Sequence, residues 1–183
     1  MINMSVLDKT EKNKLRDFLG RGWLTHDGMW FYNTYQELGI ETANKLNISA
    51  IRSLAPVELM GARKLLGLDK KKIASFDELA GFIKDCLELI LPASLFKRLA
   101  LVATEDNILK WEWEQGECFA YKGMKQIGLL EEYRCGVMFR IECWLQAMNI
   151  KYEINPVLEK CIMHEKGACC GKIKISTDNF INK

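Results

Sequence analysis

The chain has 183 residues, 49% of them apolar, and Lys plus Arg exceed Asp plus Glu by 26 − 24 = 2. A chain of that length folds as one domain or two small ones and buries a core without disulfide staples. The near-neutral balance excludes a strong electrostatic case for nucleic acid or for an anionic membrane surface.

The polar stretch Met1 to Lys12 lacks the apolar centre of a signal peptide. The most apolar run, Leu87 to Leu91, is too short to cross a bilayer and contains Glu88. A cytoplasmic, reducing setting is therefore expected. There, the seven cysteines serve as thiols, metal ligands or core residues rather than as disulfides.

The first half reads as helical. Leu15, Phe18 and Leu19 mark one face of a helix from about Lys9, which Gly20 and Gly22 are expected to end. Asp27 or Thr25 can cap a second helix carrying Trp30, Tyr35 and Leu38 and closing at Gly39. A short third covers Ile40 to Leu46. Pro56 suits the first turn of a fourth, Pro56 to Leu66. Lys70-Lys71-Lys72 follows Asp69 and reads as a solvated connector. Ser75-Phe-Asp-Glu78 is a capping box. It opens a fifth helix with Phe76, Leu79, Ile83, Leu87 and Ile90 on one stripe and Cys86 at its border as a buried thiol.

From Phe96 the period changes to two. Leu99, Leu101 and Ala103, a turn at Glu105-Asp-Asn107, then Leu109, Trp111 and Trp113 predict a β-hairpin with one wet face. Two helical segments follow, about Cys118 to Leu130 and Glu132 to Met148. Strands are then expected at Ile150 to Ile154, about Val157 to Met163, and Cys169 to Ser176. The fold class is α+β: a helical N-terminal half followed by an antiparallel sheet built from a β-hairpin, two helices and a β-meander. Residues 1–94 form the helical region and 95–183 an α+β ligand-binding region, together one compact unit.

The densest group of reactive side chains is Cys161-Ile-Met-His164-Glu-Lys-Gly167-Ala-Cys169-Cys170. If the last two strands pair as a hairpin, alternation turns Cys169 toward the core and Cys170 toward the polar face. On a continuous helix, Cys135 and Cys143 differ by about 80° and border one face. A thiolate metal site, zinc or another soft ion, can then draw on Cys135, Cys143, Cys161 and Cys169. A nucleophile in a pocket is the competing reading, with Cys170 or Cys161 attacking and His164 as base. Small apolar core thiols are the plain alternative. Trp111 and Met138 are candidates for a pocket wall, although most aromatics of this region suit a core. Glu142, on an apolar helix, needs a partner such as Arg140, a metal or a ligand. The Asp27-Gly28-x-Trp30 stretch could serve as a docking surface, against core packing of Trp30.

Two stretches, Leu24-Thr-His-Asp27-Gly28-Met-Trp30-Phe31 through Gly39, and Cys135 through Cys143 with Ile154-Asn-Pro156, Cys161 and Gly167-x-x-Cys170-x-Lys-Ile, resemble a group of little-characterised bacterial and archaeal cytosolic proteins. The second also resembles the C-terminal part of the aminothiazoline carboxylate hydrolase family and, more distantly, the vinyl-reductase-type small-molecule-binding domain. Gly167 and Cys170 match the late Gly-x-x-Cys of those families. Where their members carry acidic residues after this glycine and after the cysteine, this chain has Ala168 and Gly171. The resemblance implies a ligand-binding α+β domain with a cysteine near its pocket. The expectation is a cytosolic small-molecule-binding domain, as a hydrolase of a small sulfur- or nitrogen-containing substrate or as a metal- or cofactor-binding sensor. Its partner is a small-molecule ligand, and the chain could act as a homodimer.

Overall fold

Helix and strand segregate along the chain as the patterning predicts. The computed structural model describes residues 5–181. In order it contains α1 (Val6–Lys9), α2 (Lys12–Leu65), α3 (Phe76–Ile90), α4 (Ala93–Phe96), β1 (Leu99–Thr104), β2 (Ile108–Trp113), α5 (Phe119–Gln126), α6 (Val137–Ala147), β3 (Tyr152–Asn155), α7 (Ile162–Lys166), β4 (Cys170–Ile175) and α8 (Asp178–Ile181). The fold class is α+β. No helix among the described residues is long and apolar enough to cross a membrane.

The four short helices expected before residue 67 are one 54-residue run, α2, broken only where Gly39 takes φ 77°. Gly20 and Gly22 do not end a helix. A helical glycine costs about 1 kcal/mol relative to alanine, which neighbouring turns and packing offset. At Gly20 the absent side chain is used: a Cβ there would stand 3.0 Å from the Pro92 ring. Pro56 lies inside the run rather than in a first turn. Ser75 caps α3 as the motif predicts, its Oγ accepting the Glu78 N–H at 3.2 Å. The Glu78 carboxylate takes the Ala74 N–H at 2.8 Å rather than that of Ser75.

Polar clamps fix α2 against the rest of the chain. Near its start, the Asp17 carboxylate accepts the Ser94 N–H at 2.9 Å and Arg16 Nε donates to the Leu91 carbonyl at 2.8 Å. In its middle, buried Asn44 donates to the Glu132 carbonyl at 2.8 Å and accepts the Arg134 N–H at 3.0 Å. Toward its end, Glu58 pairs with Arg140 and accepts the Trp144 indole N–H at 2.8 Å. The buried apolar core is continuous from α2 and α3 through the sheet and α6.

The sheet is antiparallel, in the order β1-β2-β4-β3. Alternation buries Leu109, Trp111, Trp113, Cys169, Ile173 and Ile175 on one face and exposes Lys110, Glu112, Lys172 and Lys174 on the other. The strand expected at Val157 to Met163 is absent; α7 starts at Ile162 instead. The buried positions there are Leu158, Cys161, Ile162 and Met163, and i, i+3, i+4 is a helical period. So β4 has no hairpin partner from that segment and inserts between β2 and β3.

Trp111 faces Gly171 across the β2–β4 pair. A Cβ on Gly171 would lie 2.3 Å from the Trp111 ring and 2.7 Å from the Asn155 carbonyl oxygen. Gly171→Ala is therefore expected to cost about 1–3 kcal/mol through overpacking. Gly22→Ala, in a helix with nothing within 4 Å of its Cβ, should stabilise by about 0.5–1 kcal/mol. Urea midpoints of the two variants check this, and an unchanged midpoint for Gly171→Ala would show that the ring has room.

Candidate functional site

A cleft opens between α2 on one side and the sheet, α5 and α6 on the other. It encloses a cavity of about 140 Å³. Its aromatic wall is Trp23, Phe31, Trp113, Phe119 and Tyr133, completed by aliphatic side chains such as Ile51, Leu87 and Met124. Phe31 meets Tyr133 edge-on at 5.6 Å between ring centroids, and Trp113 meets Phe119 edge-on at 6.3 Å. The polar groups on this surface are few: Asp27, Asn47, Arg140 and the Tyr133 hydroxyl. Arg140 is committed to Glu58, and the Tyr133 oxygen accepts the Gly136 N–H at 3.3 Å.

Three glycines, Gly28, Gly123 and Gly136, also line the cleft. At Gly136 a Cβ would stand 2.5 Å from Ile51 Cδ1, so the end of the Ile51 side chain would have to move to admit it. Gly28 and Gly123 lie inside α2 and α5, and nothing stands within 4 Å of a Cβ built on either. A further unusual group is Trp113 Nε1, which is buried and has no hydrogen-bond partner.

A second constellation lies at the end of the sheet beyond β2. Cys118 immediately precedes α5, Cys135 lies in the loop before α6, Cys161 precedes α7 and Cys169 precedes β4. All four are buried, and all four lie within electrostatic reach of one another. Burial pushes the Cys118 thiol up to about 12 and raises those of Cys135, Cys161 and Cys169. Opposing burial, backbone N–H groups are turned toward three of the sulfurs: those of Tyr121 and Ala120 toward Cys118, Met138 and Val137 toward Cys135, and His164 and Met163 toward Cys161. The Trp111 indole N–H, which has no nitrogen or oxygen partner, favours the Cys169 thiolate in the same way. No full cap hydrogen bond forms to the neutral thiols of Cys118 and Cys161, since a thiol is a weak acceptor. Among the described residues, no three His, Cys, Asp or Glu side chains close on a common point at metal-holding distance.

Several expected site residues lie elsewhere. Cys143 does not belong with the other thiols. It sits within α6 among Arg52, Glu142, Arg140 and Glu58. Cys135 and Cys143 do not share a helix face, because Cys135 precedes the helix rather than lying on it. Cys118, which the spacing of the later cysteines does not suggest, takes the place of Cys143. The available signal is its position directly before an amphipathic helix. Alternation does separate Cys169, buried, from Cys170, exposed. The expected diagonal pairing of Cys161 with Cys169 across a hairpin is replaced by approach from separate elements.

His164 is exposed, and its Nε2 stands 3.0 Å from Glu131 Oε2. It offers Cys161 a backbone N–H rather than an imidazole. The expected trio Cys170, Cys161 and His164 is thus not assembled as nucleophile and base. Trp111 and Met138 are fully buried in the core and do not line the cleft. Glu142 is held by the Tyr152 hydroxyl, which donates to it at 3.0 Å, and burial raises its carboxyl. Arg140, the partner expected for Glu142, belongs to Glu58. Trp30 is 66% exposed, not core, and lies beside His26, which stacks on Trp23 at 6.0 Å.

The chain belongs to a family of unknown function (DUF6125), whose profile matches residues 6–168. That span takes in the whole cleft and three of the four grouped cysteines, and stops one residue short of Cys169. No curated protein and no solved structure matches the chain.

The thiol environment sets the alkaline limit of the fold. A thiol whose folded pKa exceeds its unfolded one holds its proton more tightly in the native state. Its contribution is full below the unfolded value and is lost as pH rises through the folded one. For Cys118 and Cys86 that window runs from 9.0 to about 12. Denaturation midpoints of the metal-free, reduced protein should fall across this window, and Cys118→Ala should flatten part of the fall. Alkylation with mass mapping at pH 8 should modify Cys170 rapidly and the six buried cysteines only on unfolding. Rapid native labelling of any buried cysteine would contradict the assignment.

Proposed function

We propose that the chain is a small-molecule-binding domain whose ligand occupies the cleft between α2 and the sheet. The ligand is small, largely apolar and flat. The observation that carries this reading is the pair Gly28 and Gly123. Each costs its helix about 1 kcal/mol relative to alanine, and no neighbouring atom requires either. What their missing side chains leave is open space on the wall of the cleft.

Size and chemistry support the same reading. An apolar protein cavity of about 150 Å³ accommodates benzene, and the cavity here is about 140 Å³. Aromatic walls favour edge-to-face and offset contacts with a flat guest. Trp113 Nε1 is a buried donor without a partner. Its nitrogen is closed to water, so Trp113 offers the cleft its ring and not its N–H. Hydrolysis is a weaker reading, because the exposed thiol Cys170 is not among the residues that line the cleft and His164 is turned to Glu131.

Phenol and benzene serve as probes. Both should shift the cleft resonances in a protein NMR titration. Gly28→Leu places a large side chain in the cleft at a position where α2 gains helix propensity. It should fold at least as stably as the parent and bind phenol at least 10-fold more weakly. Equal phenol binding by parent and Gly28→Leu would remove the cleft as the site.

A further inference from the structure

The section of α2 from Lys12 to the break at Gly39 carries an apolar face that the rest of the described chain leaves in solvent. On it Phe18 is 76%, Leu19 59%, Trp23 58%, Met29 50% and Trp30 66% exposed. At about 100° per residue these side chains fall within an arc of about 140°. That arc lies opposite the side on which Leu24, Gly28 and Phe31 line the cleft. A fully buried aromatic side chain covers about 150–250 Å², so the three aromatics alone hold roughly 400 Å² in water, and Leu19 and Met29 bring the apolar total to roughly 600 Å². Scattered apolar residues need no explanation, but a contiguous patch at the top of the range for a monomer marks a contact surface.

The order of residues along this face says what covers it. Lys12, Leu19 and His26 recur at seven-residue steps, as do Trp23, Trp30 and Glu37. A seven-residue step returns to within about 20° of the same side of a helix, so the six form one stripe with a cation at its start and an anion at its end. Lys12 and Glu37 are exposed, and among the described residues neither takes part in an ion pair. Lys12 and Glu37, Leu19 and Trp30, and Trp23 and His26 are each placed symmetrically about the point between Leu24 and Thr25. Turned end for end, the stripe is its own complement. Lys12 meets Glu37 of a second copy, Leu19 meets Trp30, and Trp23, stacked on its own His26 at 6.0 Å, meets the other His26. A parallel pair would instead oppose Lys12 to Lys12 and Glu37 to Glu37.

We propose that the chain forms a homodimer through this face, the two α2 helices packing antiparallel about a two-fold axis that passes between Leu24 and Thr25. An isologous contact uses the same patch twice. Roughly 600 Å² per copy then becomes roughly 1,200 Å² in all, the lower bound of a stable specific interface, before Lys12, His26 and Glu37 are counted. Leu19 and Trp30 anchor the seam. The two Lys12–Glu37 pairs sit at its ends and set direction more than affinity.

Trp23 also lines the cleft, so the test places its substitutions at Lys12, Trp30 and Glu37, which do not. Sedimentation equilibrium of the parent should show a reversible monomer–dimer equilibrium. Trp30→Glu should weaken it by more than roughly 100-fold, because an anchor is lost twice per dimer. Lys12→Glu and Glu37→Lys should each weaken it roughly 10-fold, since each turns two attractive pairs into two repulsive ones. Lys12→Glu combined with Glu37→Lys should return to within about 3-fold of the parent, because the pairs re-form with their signs exchanged. Circular dichroism melts check that each variant folds, and if Trp30→Glu does not, the charge exchange decides. Parent protein that stays monomeric up to about 100 μM overturns the proposal, and binding of that monomer to phosphatidylserine vesicles would assign the face to lipid instead. A dimer indifferent to a folded Trp30→Glu overturns it as well. A double charge variant no tighter than the single ones overturns the antiparallel register.

Discussion

The whole molecule depends on how α2 is held. Most long helices find their place through an apolar stripe, and α2 has only a partial one. Phe18, Leu19, Trp23, Trp30, Met60 and Leu65 along it are more than half exposed. Its register is set instead by polar groups placed at intervals: Asp17 with Ser94, Asn44 with the 132–134 backbone, and Glu58 with Arg140 and Trp144. Hydrogen bonds are directional where apolar contacts are not, so a slip of one residue would unmake all three. The Glu58 group is the most demanding. Its carboxylate, Arg140 and the indole of fully buried Trp144 are mutually satisfied, and removing the carboxylate would leave a poorly solvated guanidinium and an orphan N–H, a change of about 3–5 kcal/mol for buried pairs of this kind. Asn44 has a second consequence. By gripping the loop before α6, it fixes the backbone next to Cys135.

The sheet supplies the other half of the frame. Trp111 lies against the bare backbone of Gly171 and leaves no room for a side chain. That contact locks β4 beside β2, and the alternation then has one outcome: Cys169 inside, Cys170 outside. The Trp113 N–H continues the ladder to the Cys169 carbonyl at 2.9 Å. Trp113 and Cys169 are therefore neighbours at the same end of the sheet. From that corner the chain runs one way into the cleft and the other way into the thiol group.

Much of this is legible in the amino-acid order, and where that order misleads the reason is physical. Period two in Leu109, Trp111 and Trp113 and the Ser75 capping box are local signals, and both elements form where expected. Reading glycines as helix ends and Pro56 as a helix start cuts the α2 run into pieces. Gly20, Gly22, Gly28 and Pro56 are all passed through, while Gly39, with its positive φ, is a true break. The segment 157–163 reads as a strand because its apolar residues are close together, yet Leu158, Cys161 and Ile162 follow a helical spacing. Losing that strand removes the hairpin on which the Cys161–Cys169 register rests. The cleft is illegible for a different reason. Its floor is made partly of missing side chains, Gly28 and Gly123, and its walls come from residues as distant as Phe31 and Trp113. Cys118 escapes notice because only the tertiary fold brings it to Cys161; nothing in their spacing of 43 residues (161 − 118) suggests a pair.

Tyr133 is the residue that makes these two regions one structure. Its ring closes the cleft against Phe31, and its oxygen holds the Gly136 N–H at the turn into α6. On its other side it lies in the field of Cys118, Cys135 and Cys161, and both burial and those neighbours resist its ionisation. A neutral phenol therefore stands between an apolar cavity and a group of thiols. Next to this ring, the loop 131–136 is held by Asn44, which donates to the Glu132 carbonyl and accepts the Arg134 N–H. The same loop carries Cys135 and ends at Gly136, where a Cβ would press on the end of the Ile51 side chain. Beyond it α6 begins, and its Arg140 lines the cleft with Tyr133. The thiol region and the cavity thus share one wall, the buried ring of Tyr133.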